Sequence, residues 1–279
     1  MTPSRSEALK AKVIKMKLKT EIRHIDTPGG KRRVWILRPE NRESLHPGIL
    51  FIHGGGYITG GAWMILFSVF KRIAETYGAV IMAPEYRLSW TAPYPAALDD
   101  CYAALKYLWD HADELGVRRD RIVVGGESAG GGLTAAVTIY ARDKGEVPVY
   151  YHFPLYPMLD CYDTPSSAHN RGLVWGTWRN HLGWRKYLGP LYGTAPIPPY
   201  ASPSRLEDFA GMPPAYSYVN KGEPFHDETL TYIQKLKEAG IPASVDVFSG
   251  KVHAFDFFPT KNARTAKDKL VRLFGEIER

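Results

Sequence analysis

A serine flanked by small residues is the first feature of this sequence that could do chemistry. Residues 126–130 read GESAG, a G-x-S-x-G pattern with Ser128 at its centre. An apolar run precedes the pattern and a helix-forming run follows it, which is the strand–turn–helix setting of a nucleophile elbow. Small neighbours allow strand and helix to approach closely around a strained turn. A phosphate-binding loop is the alternative, but no Gly-Lys-Ser/Thr ending is present.

A run of glycines could stabilise the charge that such a nucleophile creates. Residues 53–57 read HGGGY and follow the apolar segment GILFI directly. Consecutive glycines leave backbone N–H groups bare, and such groups stabilise the oxyanion of an acyl-transfer intermediate. A tight turn without function is the alternative, and the presence of the G-x-S-x-G serine disfavours it.

A serine nucleophile also needs a general base. In α/β hydrolases the chain order is serine, acid, histidine, and His253 lies in the segment GKVHAF just beyond the last predicted strand. Because catalytic groups gather at the carboxyl ends of parallel strands, we expect His253 to be the base. His152 lies inside a predicted strand and is expected in the core.

The acid that orients the base has two candidates in the segment VNKGEPFHDE, residues 219–228. Asp227 begins a helical run, where an acidic side chain caps the helix or complements its dipole. Glu223 comes four residues after a predicted strand, in a loop stiffened by Pro224. A triad acid belongs at that point of the chain, and both Glu and Asp serve there. We expect Glu223 to be the acid, with Asp227 as the alternative.

The elements that must position these residues alternate along the chain. Short apolar runs predict strands, and amphipathic runs between them predict helices. This alternation predicts an α/β fold with a mainly parallel sheet and helices on both faces. Strands are expected at 33–37, 48–52, 79–83, 122–124, 149–155, 215–219 and 244–248, and helices at 96–115, 128–141, 227–239 and 263–277.

Two segments fall outside the alternation. Residues 157–213 form a long irregular stretch rich in proline, glycine and aromatic residues. A loop of that length is usually functional, so we expect a cap over the site, inserted into a single domain of residues 1–279. A structural excursion at the sheet edge is the alternative. Lysines alternating with apolar residues at 13–19 predict an edge strand, rather than a basic tail for nucleic acid or an anionic membrane.

Composition bears on the class of protein. The 279 residues carry a net charge of +7, and their apolar runs are far shorter than the roughly 20 residues of a membrane span. The N-terminus lacks the apolar core of a secretory signal. Cys101 and Cys161 provide no disulfide framework, so we expect a cytoplasmic protein. We expect no metal, cofactor or nucleic-acid partner, and the last predicted strand could pair with a second copy in a homodimer.

Together the motifs resemble the hormone-sensitive-lipase-like group of α/β-hydrolase esterases. HGGG, G-x-S-A-G and G-x-x-H-x-F occur in that order, and the segments PEYRL at 84–88 and PYPAALDD at 93–100 are also similar to that group. The resemblance runs from about residue 47 to residue 258. It implies an eight-stranded sheet, a cap, and hydrolysis of short-chain carboxylic esters. It also implies oxyanion donors at the N–H groups of Gly55, Gly56 and Ala129, within one residue along the glycine run.

Three positions depart from the usual pattern of that group. Glu127 stands where Asp is usual before the nucleophile, Glu85 begins the segment that usually reads Asp-Tyr-Arg-Leu, and Glu223 begins the one that usually reads Asp-Pro-Leu. Glutamate is longer than aspartate by one C–C bond, about 1.5 Å. The loop that carries Glu223 is therefore expected to lie slightly further from the base.

These residues predict a serine carboxylesterase for short- to medium-chain acyl esters. His253 would accept the proton of Ser128, an acyl-enzyme would form, and water would release the acid. An amidase, a formamidase or a peptidase can use the same triad. A non-catalytic receptor on the same fold is a further alternative, which competent residues at all three triad positions disfavour.

Overall fold

The computed structural model describes residues 15–41 and 44–278. The fold is built around a single eight-stranded sheet. The order of the strands in the sheet is β1-β2-β4-β3-β5-β6-β7-β8. β2 is antiparallel to both β1 and β4, and all other neighbours are parallel. The strands are β1 (Leu18–Thr27), β2 (Gly30–Pro39), β3 (His46–Ile52), β4 (Val80–Pro84), β5 (Val117–Glu127), β6 (Tyr151–Leu155), β7 (Ala215–Asn220) and β8 (Ala243–Phe248).

Helices cover both faces of the sheet. They are α1 (Val69–Tyr77), α2 (Ala96–Asp110), α3 (Ala112–Leu115), α4 (Ala129–Lys144), α5 (Thr177–Leu188), α6 (His226–Glu238) and α7 (Lys261–Ile277). On β3, Ile49 and Phe51 pack in the cluster formed with α1 and α7, whereas Leu50 and Ile52 pack in the cluster formed with α2 and α4. Both faces of the central strands are therefore buried, which explains their continuous apolar runs. The predicted mainly parallel α/β sheet is confirmed.

Some predicted boundaries differ from the structure. The helix expected at 96–115 is interrupted at His111, whose φ of −102° and ψ of 19° separate α2 from α3. β5 begins at Val117, five residues before the predicted strand. Its first half reads VRRDR, and this polar composition concealed a segment that pairs with the start of β3.

The stretch 157–213, which the sequence predicts to be irregular, contains the helix α5. In α5 the buried residues have helical spacing, but two of the five are not apolar. Asn180 and Gly183 interrupt the hydrophobic period, so the apolar pattern alone could not reveal the helix. The five are Asn180, Gly183, Trp184, Tyr187 and Leu188.

The edge strand near the N-terminus is displaced from its predicted position. β1 starts at Leu18 and forms the edge beside β2. Residues 15–17 precede the strand, and residues 13 and 14 lie outside the described part of the chain. Among the helices of the described ranges, none combines the length and the apolar character needed to cross a membrane.

Candidate active site

Ser128 lies on a sharp turn between β5 and α4. Its φ of 59° and ψ of −121° belong to a region that non-glycine residues rarely adopt. The Ser128 N–H donates to the carbonyl of Leu155 at 3.0 Å, and the Ser128 carbonyl accepts the N–H of Met158 at 3.0 Å. The end of β6 and the loop after it therefore hold the strained turn in place.

The glycines of the serine motif let three backbones meet. A Cβ on Gly126 would lie 2.5 Å from the carbonyl oxygens of Ile52 and Gly130, and a Cβ on Gly130 would lie 2.1 Å from that of Ile52. Larger residues would force β3, β5 and α4 apart. The G-x-S-x-G spacing thus reflects the close packing that presents the hydroxyl at the carboxyl end of the sheet.

The structure brings Ser128, His253 and Glu223 together. His253 Nε2 lies 2.8 Å from Ser128 Oγ, and His253 Nδ1 lies 3.2 Å from Glu223 Oε2. The relative exposures of Ser128, His253 and Glu223 are 6%, 3% and 0%. We assign the proton of the neutral ring to Nδ1, because the serine hydroxyl can then donate to Nε2 and the carboxyl group accepts from Nδ1–H.

The loops after β7 and β8 carry the acid and the base, and hydrogen bonds tie them together. The Gly222 N–H donates to the carbonyl of Gly250 at 2.8 Å, and the Asn220 side-chain amide donates to the carbonyl of Val252 at 2.8 Å. The ring of Phe225 packs edge-on against His253 with centroids 4.9 Å apart. The two loops therefore form one support for the imidazole and the carboxyl group.

Burial determines the protonation of the pair. It lowers the pKa of His253 to about 3, so the imidazole is neutral at pH 7 and can accept a proton. Burial also raises the pKa of Glu223 above its usual value, and the negative charge of Asp256 raises it further. The hydrogen bond from Nδ1–H acts in the opposite direction, because it favours the carboxylate form of Glu223.

The glycine loop after β3 passes beside the nucleophile. A Cβ on Gly54 would lie 3.2 Å from the Cβ of Ser128, and Gly55 and Gly56 have φ of +114° and +60°. A Cβ on Gly55 would lie 2.2 Å from the carbonyl oxygen of Thr59. These positions therefore require glycine both for conformation and for space.

His53 holds this loop in place. Its Nδ1–H donates to the carbonyl of Gly54 at 2.7 Å, and its ring stacks on Tyr86 with centroids 4.1 Å apart. The Tyr86 hydroxyl donates to the carbonyl of His53 at 3.0 Å. A rigid loop of this kind keeps its N–H groups oriented before a substrate arrives.

The expected oxyanion donors remain free for a ligand. The N–H groups of Gly55, Gly56 and Ala129 donate no hydrogen bond to another residue in the described ranges. Ala129 is also the first residue of α4, whose positive dipole end favours a developing negative charge. The geometry suits acyl transfer through a tetrahedral intermediate.

Part of the stretch 157–213 covers the glycine loop directly. A Cβ on Gly56 would lie 1.9 Å from Cη2 of Trp175, so the indole ring packs against the backbone of that glycine. Gly183 of α5 lies on the same ring, because its Cβ would lie 3.4 Å from Trp175 Cζ2 and 2.9 Å from the Gly56 carbonyl oxygen. Trp175 and Trp184 are buried here, whereas Trp178 is 74% exposed.

The structure places Asp227 away from His253. One carboxylate oxygen accepts the N–H of Ser166 at 2.8 Å, and the other lies 2.7 Å from Nδ1 of His226. Of the two structural roles expected of Asp227, the position in the first turn of α6 is confirmed, whereas the N-cap is Phe225. Asp227 instead joins the loop of Glu223 to the stretch 157–213, which Ser166 Oγ reinforces by donating to the carbonyl of Pro224 at 2.8 Å.

Two residues near the base were missed by the sequence analysis. Asp256 follows His253 by three positions and is 3% exposed. The ring of Tyr156 packs edge-on against His253 with centroids 5.2 Å apart. No spacing in the sequence indicates that an acidic residue after the base is buried. The position of Asp256 near His253 could therefore not be predicted.

Comparison with known proteins agrees with the fold and the candidate site. A family model described as alpha/beta hydrolase fold matches residues 49–257. The esterase LipI of Mycobacterium tuberculosis is 32% identical over 231 residues, which cover 82% of this chain and 71% of the relative. The carboxylesterase NlhH of the same species is 30% identical over 226 residues, which cover 78% of this chain and 68% of the relative.

Solved structures of esterases superimpose closely on this chain. A structure titled bacterial heroin esterase matches with a TM-score of 0.90 and 30% identity, covering 98% of this chain and 88% of the other. The thermophilic carboxylesterase EstE1 matches with a TM-score of 0.85 and 31% identity, covering 99% and 94%. The chain therefore belongs to the α/β-hydrolase fold family, in the hormone-sensitive-lipase-like group of esterases that its motifs resemble.

Proposed function

We propose that this esterase cleaves short- to medium-chain carboxylic esters through a covalent acyl-enzyme on Ser128. The observation that carries the proposal is the 2.8 Å separation between Ser128 Oγ on its strained turn and His253 Nε2. A neutral imidazole at that distance can accept the hydroxyl proton as the oxygen attacks an ester carbonyl. Glu223 then stabilises the imidazolium form.

The steps follow from these groups. Attack by Ser128 gives a tetrahedral oxyanion, which the N–H groups of Gly55, Gly56 and Ala129 stabilise by hydrogen bonds. His253 returns the proton to the leaving alcohol, and the acyl group stays on Ser128. Water then attacks the acyl-enzyme with the same base and releases the carboxylic acid.

The stretch 157–213 supports the expected size of the acyl group. We propose that it acts as a cap within a single domain, because Trp175 and α5 pack on the glycine loop. A bulky indole beside the oxyanion donors leaves limited space, which suits small acyl groups. A Pseudomonas putida relative that is 26% identical is named ethyl acetate hydrolase, which is consistent with a short ester as substrate.

Two further proposals concern the surroundings of the enzyme. Cys101 and Cys161 are both free, which suits a cytoplasmic location. β8 lies at the edge of the sheet and Val247 on it is 45% exposed, so pairing of two copies along β8 would bury apolar surface. Light scattering of the purified chain tests the homodimer.

The test of function combines labelling with a substrate series. We expect a fluorophosphonate probe to label the wild type and not Ser128→Ala, and p-nitrophenyl acetate or butyrate to be cleaved faster than a long-chain ester. Ser128→Ala should lose turnover by about 10⁴–10⁶-fold with an unchanged melting temperature. A matched acyl anilide distinguishes an ester hydrolase from an amidase. Turnover by Ser128→Ala at the wild-type rate would remove Ser128 from the mechanism.

A further inference from the structure

A second buried carboxylate lies near the candidate base. Asp256 belongs to a short 3-10 turn, Phe255–Phe257, and is 3% exposed. The Tyr156 hydroxyl donates to its Oδ1 at 2.7 Å, and the Tyr218 hydroxyl donates to its Oδ2 at 2.8 Å. An ionised carboxylate removed from water needs such donors on both oxygens. The site around Asp256 is therefore built to hold a negative charge inside the protein.

This carboxylate is connected to His253 through Tyr156. The Tyr156 ring that binds Asp256 also packs edge-on against the imidazole, at 84° between the planes. Tyr156 is held in an unusual conformation with φ of +32°, and its N–H donates to the carbonyl of Tyr218 at 3.1 Å. The charge of Asp256 raises the pKa of His253 and so opposes the effect of burial.

Another buried carboxyl group competes with Asp256 for ionisation. Burial raises the pKa of Glu127 well above its usual value, and the charge of Asp256 adds to that rise. Glu127 receives one hydroxyl, from Ser68 at 2.5 Å, whereas Asp256 receives two. Burial raises the pKa of Asp256 as well, but its two hydroxyl donors lower it. Two interacting carboxyl groups titrate as a pair, and the one with more donors ionises first. We therefore assign the negative charge of this pair to Asp256.

The remaining charged groups around this cluster do not replace Asp256. Lys267 donates to the backbone carbonyl of Asp256 at 2.8 Å rather than to its carboxylate, and its positive charge lowers the pKa of that carboxyl group. His226 lowers the pKa of Glu223 but is paired with Asp227. The titratable groups that surround His253 and Asp256 are Glu127, Glu223, His226, Lys267, Tyr156 and Tyr218.

We infer that Asp256 is a second acid of the site, a positioning residue whose buried negative charge stabilises the imidazolium form of His253 during ester hydrolysis. The inference rests on the proposed function. His253 becomes charged when Ser128 transfers its proton to Nε2, and it is neutral again once that proton reaches the leaving oxygen. Glu223 contributes one contact of 3.2 Å, and Asp256 adds a charge that can act on the imidazolium without touching the substrate.

The test measures the protonation of His253 when its charged form is populated. Phenylboronic acid forms a tetrahedral adduct with an active serine, and the negative adduct favours the imidazolium. NMR titration of the histidine Cε1–H signals in this adduct gives the midpoint, with the His253 signal identified by its absence in His253→Asn. We expect Asp256→Asn to lower the midpoint by at least about half a pH unit and kcat by about three- to tenfold.

Matched variants separate this role from a structural one. Asp256→Glu keeps the charge and should restore a midpoint near the wild type, and Asp256→Ser is a second neutral variant if Asp256→Asn does not fold. Glu228→Gln is the control, because Glu228 is equally buried but accepts the N–H groups of Leu159 and Asp160. Glu228 interacts with Glu223 and not with His253, so the midpoint of Glu228→Gln should shift by less than that of Asp256→Asn.

The outcomes distinguish the inference from the proposed function. A midpoint in the neutral Asp256 variants that is unchanged or higher overturns the role of Asp256, even though the wild type hydrolyses esters and binds the boronate. A wild type that neither hydrolyses esters nor forms the adduct overturns the proposed function itself.

Discussion

His253 at the edge of the sheet and His152 in β6 have nearly the same environment by most measures. Both are buried, with relative exposures of 3% and 0%. Both ring nitrogens of each residue have a hydrogen-bond partner. Burial lowers the pKa of His253 to about 3 and that of His152 to about 4. Burial and a perturbed pKa therefore do not identify the base in this protein.

The partners of the two rings make the difference. His152 Nδ1–H donates to the carbonyl of Pro214 at 3.1 Å, and its Nε2 accepts the Tyr232 hydroxyl at 3.0 Å. Neither partner is a nucleophile. His253 instead lies between a carboxyl group and a serine on a strained turn. A perturbed pKa indicates a functional residue only when the neighbours can use the proton.

The largest expected effect comes from exchanging the base. His253→Asn removes the acceptor for the proton of Ser128, and we expect kcat/KM for p-nitrophenyl acetate to fall by about 10⁴–10⁶-fold. The melting temperature should stay close to that of the wild type, because the side chain lies in the site and not in the core. Retention of more than a tenth of the activity would show that His253 is not the base.

The next effect separates two neighbouring carboxyl groups, Glu223 in the loop after β7 and Asp227 in the first turn of α6. Glu223→Gln keeps the size of the side chain but cannot stabilise the imidazolium, so kcat should fall by about 10⁴-fold. Asp227→Asn keeps an oxygen for the N–H of Ser166 and should cost less than tenfold. Steady-state kinetics and thermal melts of both variants decide the assignment. The reverse ranking, with both proteins folded, would make Asp227 the acid.

The sheet and the motifs could be predicted from the sequence because each strand and each motif depends on residues that are adjacent in the chain. The run GILFI indicates a strand buried on both faces, and Gly126 and Gly130 record the close approach of β5 and α4 around Ser128. The order of the motifs along the chain predicted His253 as the base and Glu223 as the acid. These signals depend on neighbours in the sequence, or on chain order that the fold family fixes.

Contacts between distant segments could not be predicted in this way. Trp175 packs on Gly56 across more than a hundred residues of sequence, and α5 was missed because Asn180 and Gly183 occupy its buried face. Asp256 is recognisable only once Tyr156 and Tyr218 are seen to bind it. Such arrangements depend on tertiary packing, which hydrophobic periodicity does not encode.

The smallest effect on activity is expected at His152. In contrast to His253→Asn, a substitution there should change stability and not catalysis. His152→Gln should leave kcat/KM within about twofold, because its ring contacts no group of the site. It should lower the free energy of unfolding at pH 7 by about 1–3 kcal/mol, since the Tyr232 hydroxyl or the Pro214 carbonyl loses its buried partner. Chemical denaturation and steady-state kinetics measure the two quantities on the same preparation.

The pH dependence of His152→Gln sharpens this comparison. In the folded wild type the pKa of His152 is about 4, and in the unfolded chain it is near the usual 6.5. Between these values the unfolded chain binds more protons, so His152 costs stability as the pH falls from 6.5 towards 4, by at most about 1.4 kcal/mol per pH unit. Glutamine does not titrate, and His253 and His53 remain in both proteins and cancel in the difference. The stability gap between wild type and variant should therefore narrow as the pH falls through this window. A stability difference between wild type and His152→Gln that stays constant from pH 7 to pH 5 would mean that burial does not lower the pKa of His152. His152 and His253 would then not share a lowered pKa.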